Sequence, residues 1–410
     1  MSKERGLKCR PLILFAFCLL LDMPELKIFP MASQVFCIAA PLLYLIANFK
    51  LLRKFTSQHL KILLWALLIA VLGFLPPLIQ ETGDFSYIPV STYFFRKAII
   101  YLALLCVIIK KHGEKQALQY FMYYFALTHV VYVIGTILLV LIPGLQDIWF
   151  NIFVKGGSRA SLFTSYGYTF RLGWNGFAGF RLTLYCTIAA AFALFLRYGT
   201  KQKAITALQF AVLFFGCLIG NAFYGRSGLF ATAIISAVAI LVWNRKHIKR
   251  ILLIGLGICL FALSINALKN VPVFSDWYNW MSSPIKNLLL TGDMDNSSFD
   301  RLQEMSQVEI PESAMVFGDG YYTKNGHYYL STDVGFIRNV AYWGLIGAVA
   351  SYGLTLFSIL GLRKLSYLLL VQFLIIFGIF EFKGAVYYEF IPILFCLGYA
   401  YEMQRIEEGK

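Results

Sequence analysis

The chain has 410 residues, of which 59% are hydrophobic and only 14% charged. A soluble domain of this size needs far more charge to stay solvated, so this composition defines an integral membrane protein. The net charge of +15 is what cytoplasmic loops facing anionic lipid require, and it is no argument for nucleic acid as a partner.

In chain order, the basic residues 3–10 and the apolar run 12–21 resemble a secretory signal. Asp22, Pro24 and Glu25 follow without a small-residue cleavage site, so this run is expected to remain as a first span. Apolar stretches near the ~20-residue spanning length then predict spans at 11–29, 32–49, 60–80, 93–109, 121–141, 176–196, 205–220, 228–243, 251–268, 335–362, 366–380 and 385–401. The tenth is long enough to tilt or to project beyond the bilayer. The eight cysteines fall mostly within these runs and form no Cys-x-x-Cys pair, which is the usage of packing residues rather than disulfides or metal ligands.

Lysine and arginine set the orientation. Basic clusters at 3–10, 50–61, 110–115, 197–203, 244–250 and 363–364 occupy the N-terminus and every second loop, so both termini are expected in the cytoplasm. The predicted organisation is an all-α polytopic membrane protein of about twelve helices with two enlarged outer loops. Residues 1–142 hold spans one to five, 143–175 the first loop, 176–268 spans six to nine, 269–333 the second loop, and 334–410 the last three spans. Loops of more than ~15 residues are usually functional or disordered. The tyrosines and tryptophans here argue against disorder, and no internal repeat is visible.

Between Asp147 and Asp276 the chain has no aspartate or glutamate, yet it carries Arg159, Arg171, Arg181 and Arg226 at or near the expected outer face. Guanidinium groups without an internal carboxylate are available to an outside anion, and their rigid fork suits phosphate. Arg171 and Arg181 lie in a run with Gly167, Gly173, Gly176 and Gly179, where the backbone can bend or a ligand approach closely. In a helical segment the two arginines would stand about three turns apart and flank one extended head group. The competing reading is that both are interfacial arginines snorkelling to lipid head groups, with Trp174 in the aromatic belt. Arg226, in Tyr224-Gly225-Arg226-Ser227-Gly228, is expected in the first turn of a span, where free N–H groups favour anions.

The second outer loop ends in Gly318-Asp319-Gly320, His327 and Ser331-Thr332-Asp333-Val334-Gly335, running into Arg338 and Gly344. His327 is the one outward-facing histidine of the predicted topology, and it or Asp333 fits the base that a glycosyl transfer needs at the acceptor hydroxyl. Asp333 also fits a helix cap, a role compatible with catalysis. Arg338, about a turn inside, is expensive at that depth unless it pairs with Asp333 or faces a cavity. Arg96 and Lys97 add to the outer positive field, His129 reads as a core histidine, and Glu381 and Lys383 are expected to pair across a short turn. No P-loop, Rossmann glycine pattern, zinc spacing or Gly-x-Ser-x-Gly elbow is present.

With these features the chain resembles the Wzy family of O-antigen and capsular polysaccharide polymerases. The likeness lies in the span number, the two arginine-bearing outer loops, Tyr224-Gly-Arg226-Ser-Gly, Gly318-Asp-Gly320, His327, Ser331-Thr-Asp333-Val-Gly335-Phe and Gly344-Leu-Ile-Gly347. The resemblance implies a glycosyltransferase-C-like architecture in the bacterial inner membrane with a periplasmic working face. It implies a growing glycan moved from undecaprenyl diphosphate to the non-reducing end of an incoming lipid-linked repeat unit, without a metal or soluble cofactor. Arg159, Arg171, Arg181, Arg226 and Arg338 are then substrate-binding candidates, and His327 and Asp333 are catalytic ones. The implied partners are the undecaprenyl-diphosphate-linked oligosaccharide, membrane lipid, a chain-length regulator and a flippase. The alternatives are an O-antigen ligase, disfavoured by Tyr328 directly after His327, and a lipid-linked oligosaccharide flippase, which would place more charge at mid-span.

Overall fold

The structure is a computed structural model that describes residues 6–22, 24–153, 171–174, 176–177, 179–200, 203–243, 272–291, 297–407 and 409. Its regular elements are almost all helical, and among the described residues the strands are confined to two short hairpins. Among the described residues, seven helical segments are long and apolar enough to cross a membrane: Pro30–Ala47, Ser57–Ile79, Phe85–His112, Glu114–Leu141, Gly179–Gly199, Ala207–Tyr224 and Gly335–Lys364.

The gap between these and the longer series expected from the sequence has physical causes. The first apolar run forms a helix of 11 residues, Pro11–Leu21. At 1.5 Å per residue such a helix covers only about half of a ~30 Å hydrocarbon core. The run at 228–243 becomes the Arg226–Trp243 helix, whose apolar stretch is also short. The span expected at 251–268 lies outside the described residues. Tyr367–Lys383 has 17 residues, and Tyr387–Glu407 carries Glu389, Glu402 and Arg405.

The chain divides into two compact units, each built from segments distant in sequence: Met1–Ala39 with Gln119–Met294, and Ala40–Leu118 with Asp295–Lys410. The expected second outer loop is therefore shared. Its Pro272–Thr291 helix belongs to the first unit, whereas Ser297–Ser306 and everything after it belong to the second.

The core of the first unit is the Gly179–Leu194 helix, in which every residue from Leu182 to Leu194 is buried. Its alanines and threonines let backbones approach closely, the mode of helix packing that works in lipid. It packs against Ala207–Tyr224 and Arg226–Trp243. The buried hydroxyls of Thr183 and Thr187 donate back to the carbonyls of Gly179 and Thr183, and that of Thr187 also reaches Asn221 Oδ1 on the Ala207–Tyr224 helix at 3.4 Å. Thr206 and Gln209 cap the Ala207–Tyr224 helix reciprocally.

In the second unit the Tyr387–Glu407 helix is the buried centre, packed by Tyr93–His112, Gly335–Gly361 and Ser57–Leu72. A polar network ties the unit together. The Tyr87 hydroxyl meets that of Tyr387 and donates to Asn339 Oδ1 at 3.1 Å, the Trp343 indole donates to the same oxygen at 2.9 Å, and Asn339 Nδ2 donates to Ser351 at 2.8 Å. Fully satisfied networks of this kind rigidify a low-dielectric core.

The Gly335–Gly361 helix is interrupted at Trp343 (φ −130°) and Gly344 (φ 72°). Its length therefore does not mean one straight rod. The break is closed by Gly318-Asp319-Gly320: the Asp319 N–H donates to the Ala341 carbonyl at 2.8 Å, and the Gly320 N–H to that of Tyr342 at 3.0 Å. Irregular backbone at such a place persists only where its polar groups are satisfied again. A Cβ on Gly318 would stand 2.1 Å from the Tyr342 carbonyl oxygen, and one on Gly344 2.1 Å from that of Val316. Both positions have positive φ, which together with the contact admits only glycine.

Candidate functional site

In the first unit the arginines are placed by two short local structures. Arg171 precedes a hairpin in which Leu172–Gly173 pairs with Gly176–Phe177, with Gly176 at φ 82° supplying the tight turn. The expected helical spacing of Arg171 and Arg181 is therefore not what forms: a hairpin intervenes, and Arg181 lies in the first turn of the Gly179–Leu194 helix. Trp174 at the hairpin tip stacks on Trp149 with ring centroids 4.0 Å apart and accepts the Trp149 indole N–H on its carbonyl at 2.9 Å. A Cβ at Gly135 would stand 2.5 Å from the Trp174 ring, so a glycine there makes room for the indole.

Arg226 opens the Arg226–Trp243 helix, as expected. Its flanking glycines have a packing reason. A Cβ on Gly225 would stand 2.9 Å from Thr183 Oγ1, and one on Gly228 2.4 Å from Asn221 Oδ1. The Pro272–Thr291 helix is docked by Trp277, whose indole donates to the Ala222 carbonyl at 3.0 Å. That docking delivers Trp280 to the arginines. The guanidinium carbons of both Arg171 and Arg226 lie 4.6 Å from the centroid of its ring, so the two cations stand within twice that distance of each other. Arg226 also donates to the Trp280 carbonyl at 3.3 Å and to Ser283 Oγ at 3.4 Å. Each cation–π contact contributes ~0.5–2 kcal/mol and holds the guanidinium plane in place.

Arg181 departs from the expectation that no internal carboxylate neutralises these arginines. It pairs with Asp22 at 2.5 Å, and the Asp22 side chain is 6% exposed. The acid-free stretch between Asp147 and Asp276 concealed this, because the partner comes from the opposite end of the sequence. Arg159 lies outside the described residues. Beside the hairpin an apolar groove of about 570 Å³ is lined by Leu14, Phe15, Cys18, Val131, Trp149 and Trp174 among others.

In the second unit, Thr323–Lys324 and His327–Tyr328 form a hairpin around Asn325 (φ 53°) and Gly326 (φ 77°), the two left-handed positions that a tight strand reversal requires. Asp84 clamps its base. One carboxylate oxygen accepts the N–H groups of Tyr322 at 2.6 Å and Thr323 at 2.8 Å, and the other accepts that of Ser86 at 3.0 Å. Burial by itself raises the Asp84 carboxyl, but the hydrogen bonds from Ser86, Thr323 and Tyr322 outweigh it and hold the group below its ordinary range. Asp319 accepts the Tyr329 hydroxyl at 2.7 Å.

His327 is exposed on this hairpin, in register with Lys324. Asp333 does not cap the helix. The N-cap is Val334, whose N–H is taken by Thr332 Oγ1 at 3.2 Å, while the Asp333 N–H points to the Met305 sulfur at 3.3 Å. Nor does Arg338 pair with Asp333. Its guanidinium carbon lies 3.5 Å from the centroid of the Tyr328 ring and 4.2 Å from that of Tyr322. Burial pushes the Tyr322 phenol up to about 12 against the opposing pull of the Arg338 charge.

Glu381 is not paired with Lys383. It accepts the Tyr352 hydroxyl at 2.8 Å and the N–H groups of Val386 at 2.8 Å and Tyr387 at 2.9 Å. A buried carboxylate at this turn is better satisfied by the free donors where the next helix starts than by a surface lysine. Arg96 and Lys97 both lie over the Tyr93 ring. His129 is buried, with Nδ1 donating to the Phe125 carbonyl at 2.7 Å, as a core histidine does.

The arginine candidates of the first unit and His327, Asp333 and Arg338 thus belong to separate units. Sequence reasoning missed Trp280, Asp84, Tyr322 and Tyr328. Only the hairpin had a local signal, the Asn325-Gly326 pair. No protein-family model matches the chain, and no curated protein matches it.

Proposed function

We propose that this protein is a lipid-linked oligosaccharide polymerase of the Wzy type, a multi-pass glycosyltransferase of the bacterial inner membrane with about twelve spans, cytoplasmic termini and a periplasmic working face. The observation that carries the reading is the sharing of Trp280 by Arg171 and Arg226. Two guanidinium groups held against one indole bring together the charge and the donor geometry that suit a diphosphate.

In the reaction, the bond between the anomeric carbon of the growing glycan and undecaprenyl diphosphate breaks, and its electron pair leaves with the diphosphate. The hydroxyl at the non-reducing end of the incoming unit bonds to that carbon and gives its proton to a base. Arg171 and Arg226 stabilise the charge that develops on the leaving group. The apolar groove beside Trp174 supplies walls suited to a polyprenyl chain. Arg181, already neutralised by Asp22, is left to hold the first helix in place.

The test is surface polysaccharide on gels from cells carrying Arg226→Ala. Loss of long-chain ladders is expected at unchanged protein level, and Arg226→Lys is expected to fail as well if the fork rather than the charge matters. Ladders of normal intensity in Arg226→Ala would sink the reading. His327→Ala is expected to stop chain growth while leaving single repeat units attached. Loss of the single units too would favour ligation or flipping.

A further inference from the structure

Arg338 is only 6% exposed, and it stands between two aromatic faces. Among the described residues nothing accepts a hydrogen bond from its Nε or its Nη2. These two N–H groups lie along one edge of the guanidinium and point the same way. That edge is the one that meets both oxygens of a carboxylate or phosphate in parallel. Buried donors of this kind are rare enough in folded proteins that each calls for a partner. The rings of Tyr322 and Tyr328 fix the guanidinium plane, and with it the direction of this buried, unpaired edge. Tyr328 is 38% exposed, so this aromatic wall also borders solvent.

Charge decides which oxyanion fits. Arg338 is a single cation between two tyrosines, with the Glu381 carboxyl group near it. The Glu381 Oε1 atom lies 2.3 Å from where a Cβ on Gly335 would stand, one helical turn before Arg338. One guanidinium matches one singly charged planar group, whereas a diphosphate with two or more charges is better matched by the two arginines on Trp280. A planar group with one negative charge suits this edge.

We propose that Arg338, held between Tyr322 and Tyr328, receives the carboxylate of an acidic sugar in the incoming repeat unit and so sets the acceptor specificity of the enzyme. The proposal rests on the glycan-transfer reading above and names the substrate class: a repeat unit containing a uronic or similar sugar acid.

The experiment uses the full-length protein in lipid nanodiscs, titrated by calorimetry with three probes. These are a short oligosaccharide ending in glucuronate, the same oligosaccharide with its carboxyl reduced to the alcohol, and inorganic pyrophosphate. The acidic form is expected to bind at least about tenfold more tightly than the reduced form, the effect of charge-assisted hydrogen bonds. Arg338→Gln and Arg338→Lys should both abolish that preference, the lysine because a point charge cannot use the fork. Tyr328→Leu, at an exposed position that leaves the charge in place, should weaken the preference by ~3-fold and keeps the test valid if Arg338→Gln does not fold. Pyrophosphate affinity should be unchanged in these variants and fall in Arg226→Ala.

Equal binding of the acidic and reduced oligosaccharides by the unaltered protein would overturn the proposal. So would an intact preference in Arg338→Lys, or a loss of pyrophosphate binding there, which would make Arg338 a diphosphate ligand. Its failure is distinct from that of the polymerase reading. If Arg226→Ala removes ladders while acidic and reduced probes bind alike, only the specificity assignment falls. If ladders survive Arg226→Ala while the carboxylate preference stands, only the polymerase reading falls.

Discussion

The two units treat arginine in opposite ways. In the first, Arg171 and Arg226 are half-buried and both lie against the Trp280 ring, two positive charges on one aromatic side chain. In the second, Arg338 is buried between two tyrosines with the Glu381 carboxyl group nearby. Arg181 is a third case, a guanidinium already matched to Asp22. The residue type alone therefore says little. What decides its chemistry is how many cations converge, how deeply they lie, and whether a carboxylate has already claimed them.

This contrast can be broken or sharpened experimentally, and the largest expected effect is on the scaffold of the second unit. Gly318→Ala places a methyl group against the Tyr342 carbonyl at a left-handed position. We expect a loss of about 3 kcal/mol or more, seen as poor yield of folded protein and a lowered unfolding temperature. A protein of normal stability would show that the break at Trp343–Gly344 can shift to admit the methyl group at little cost. Next in size is Arg226→Ala, expected to reduce polymer formation about 100-fold, measured as incorporation of labelled repeat units into long chains.

The third prediction separates Arg181 from its neighbours. Asp22→Ala should cost about 1–3 kcal/mol because it strands a guanidinium, and Arg181→Gln should lower the unfolding temperature while ladders persist. If Arg181→Gln removes the ladders at normal stability, Arg181 belongs with Arg171 and Arg226 after all. The smallest effect concerns the hairpin that bears His327 and Tyr328. The folded Asp84 carboxyl is held below its unfolded value. Its contribution is therefore complete above the unfolded value near ~3.9 and is lost as pH falls through the folded one. Stability measured from neutral pH downward should be flat until about pH 4 and then decline, and Asp84→Asn should remove that acid-side step. A decline that is unchanged in Asp84→Asn would assign it to other carboxylates.

Much of the helical architecture was legible because its cause is local. Apolar runs such as 121–141 and 205–220 become the Ala117–Leu141 and Ala207–Tyr224 helices with shifts of a few residues. The placement of Arg226 at a helix start was readable from Gly225 and the apolar run after Ser227. The expected count of spans was less secure, because an apolar run does not reveal that a helix will stop at Leu21 or break at Trp343. The glycines of Gly318-Asp319-Gly320 and Gly344 stood out in the sequence, but their reason, the closure of one helix break by another segment, did not.

By itself the sequence determined the solvent of this protein and the class of its secondary structure, since hydropathy and helical hydrogen bonding act between near neighbours in the chain. Only the tertiary structure decided which charge meets which partner. Asp22 finds Arg181, Trp280 finds Arg171 and Arg226, and Asp84 finds the hairpin that carries His327. Each of these pairings joins residues separated by more than fifty positions. At such separations no periodicity survives, and only packing brings the groups within reach.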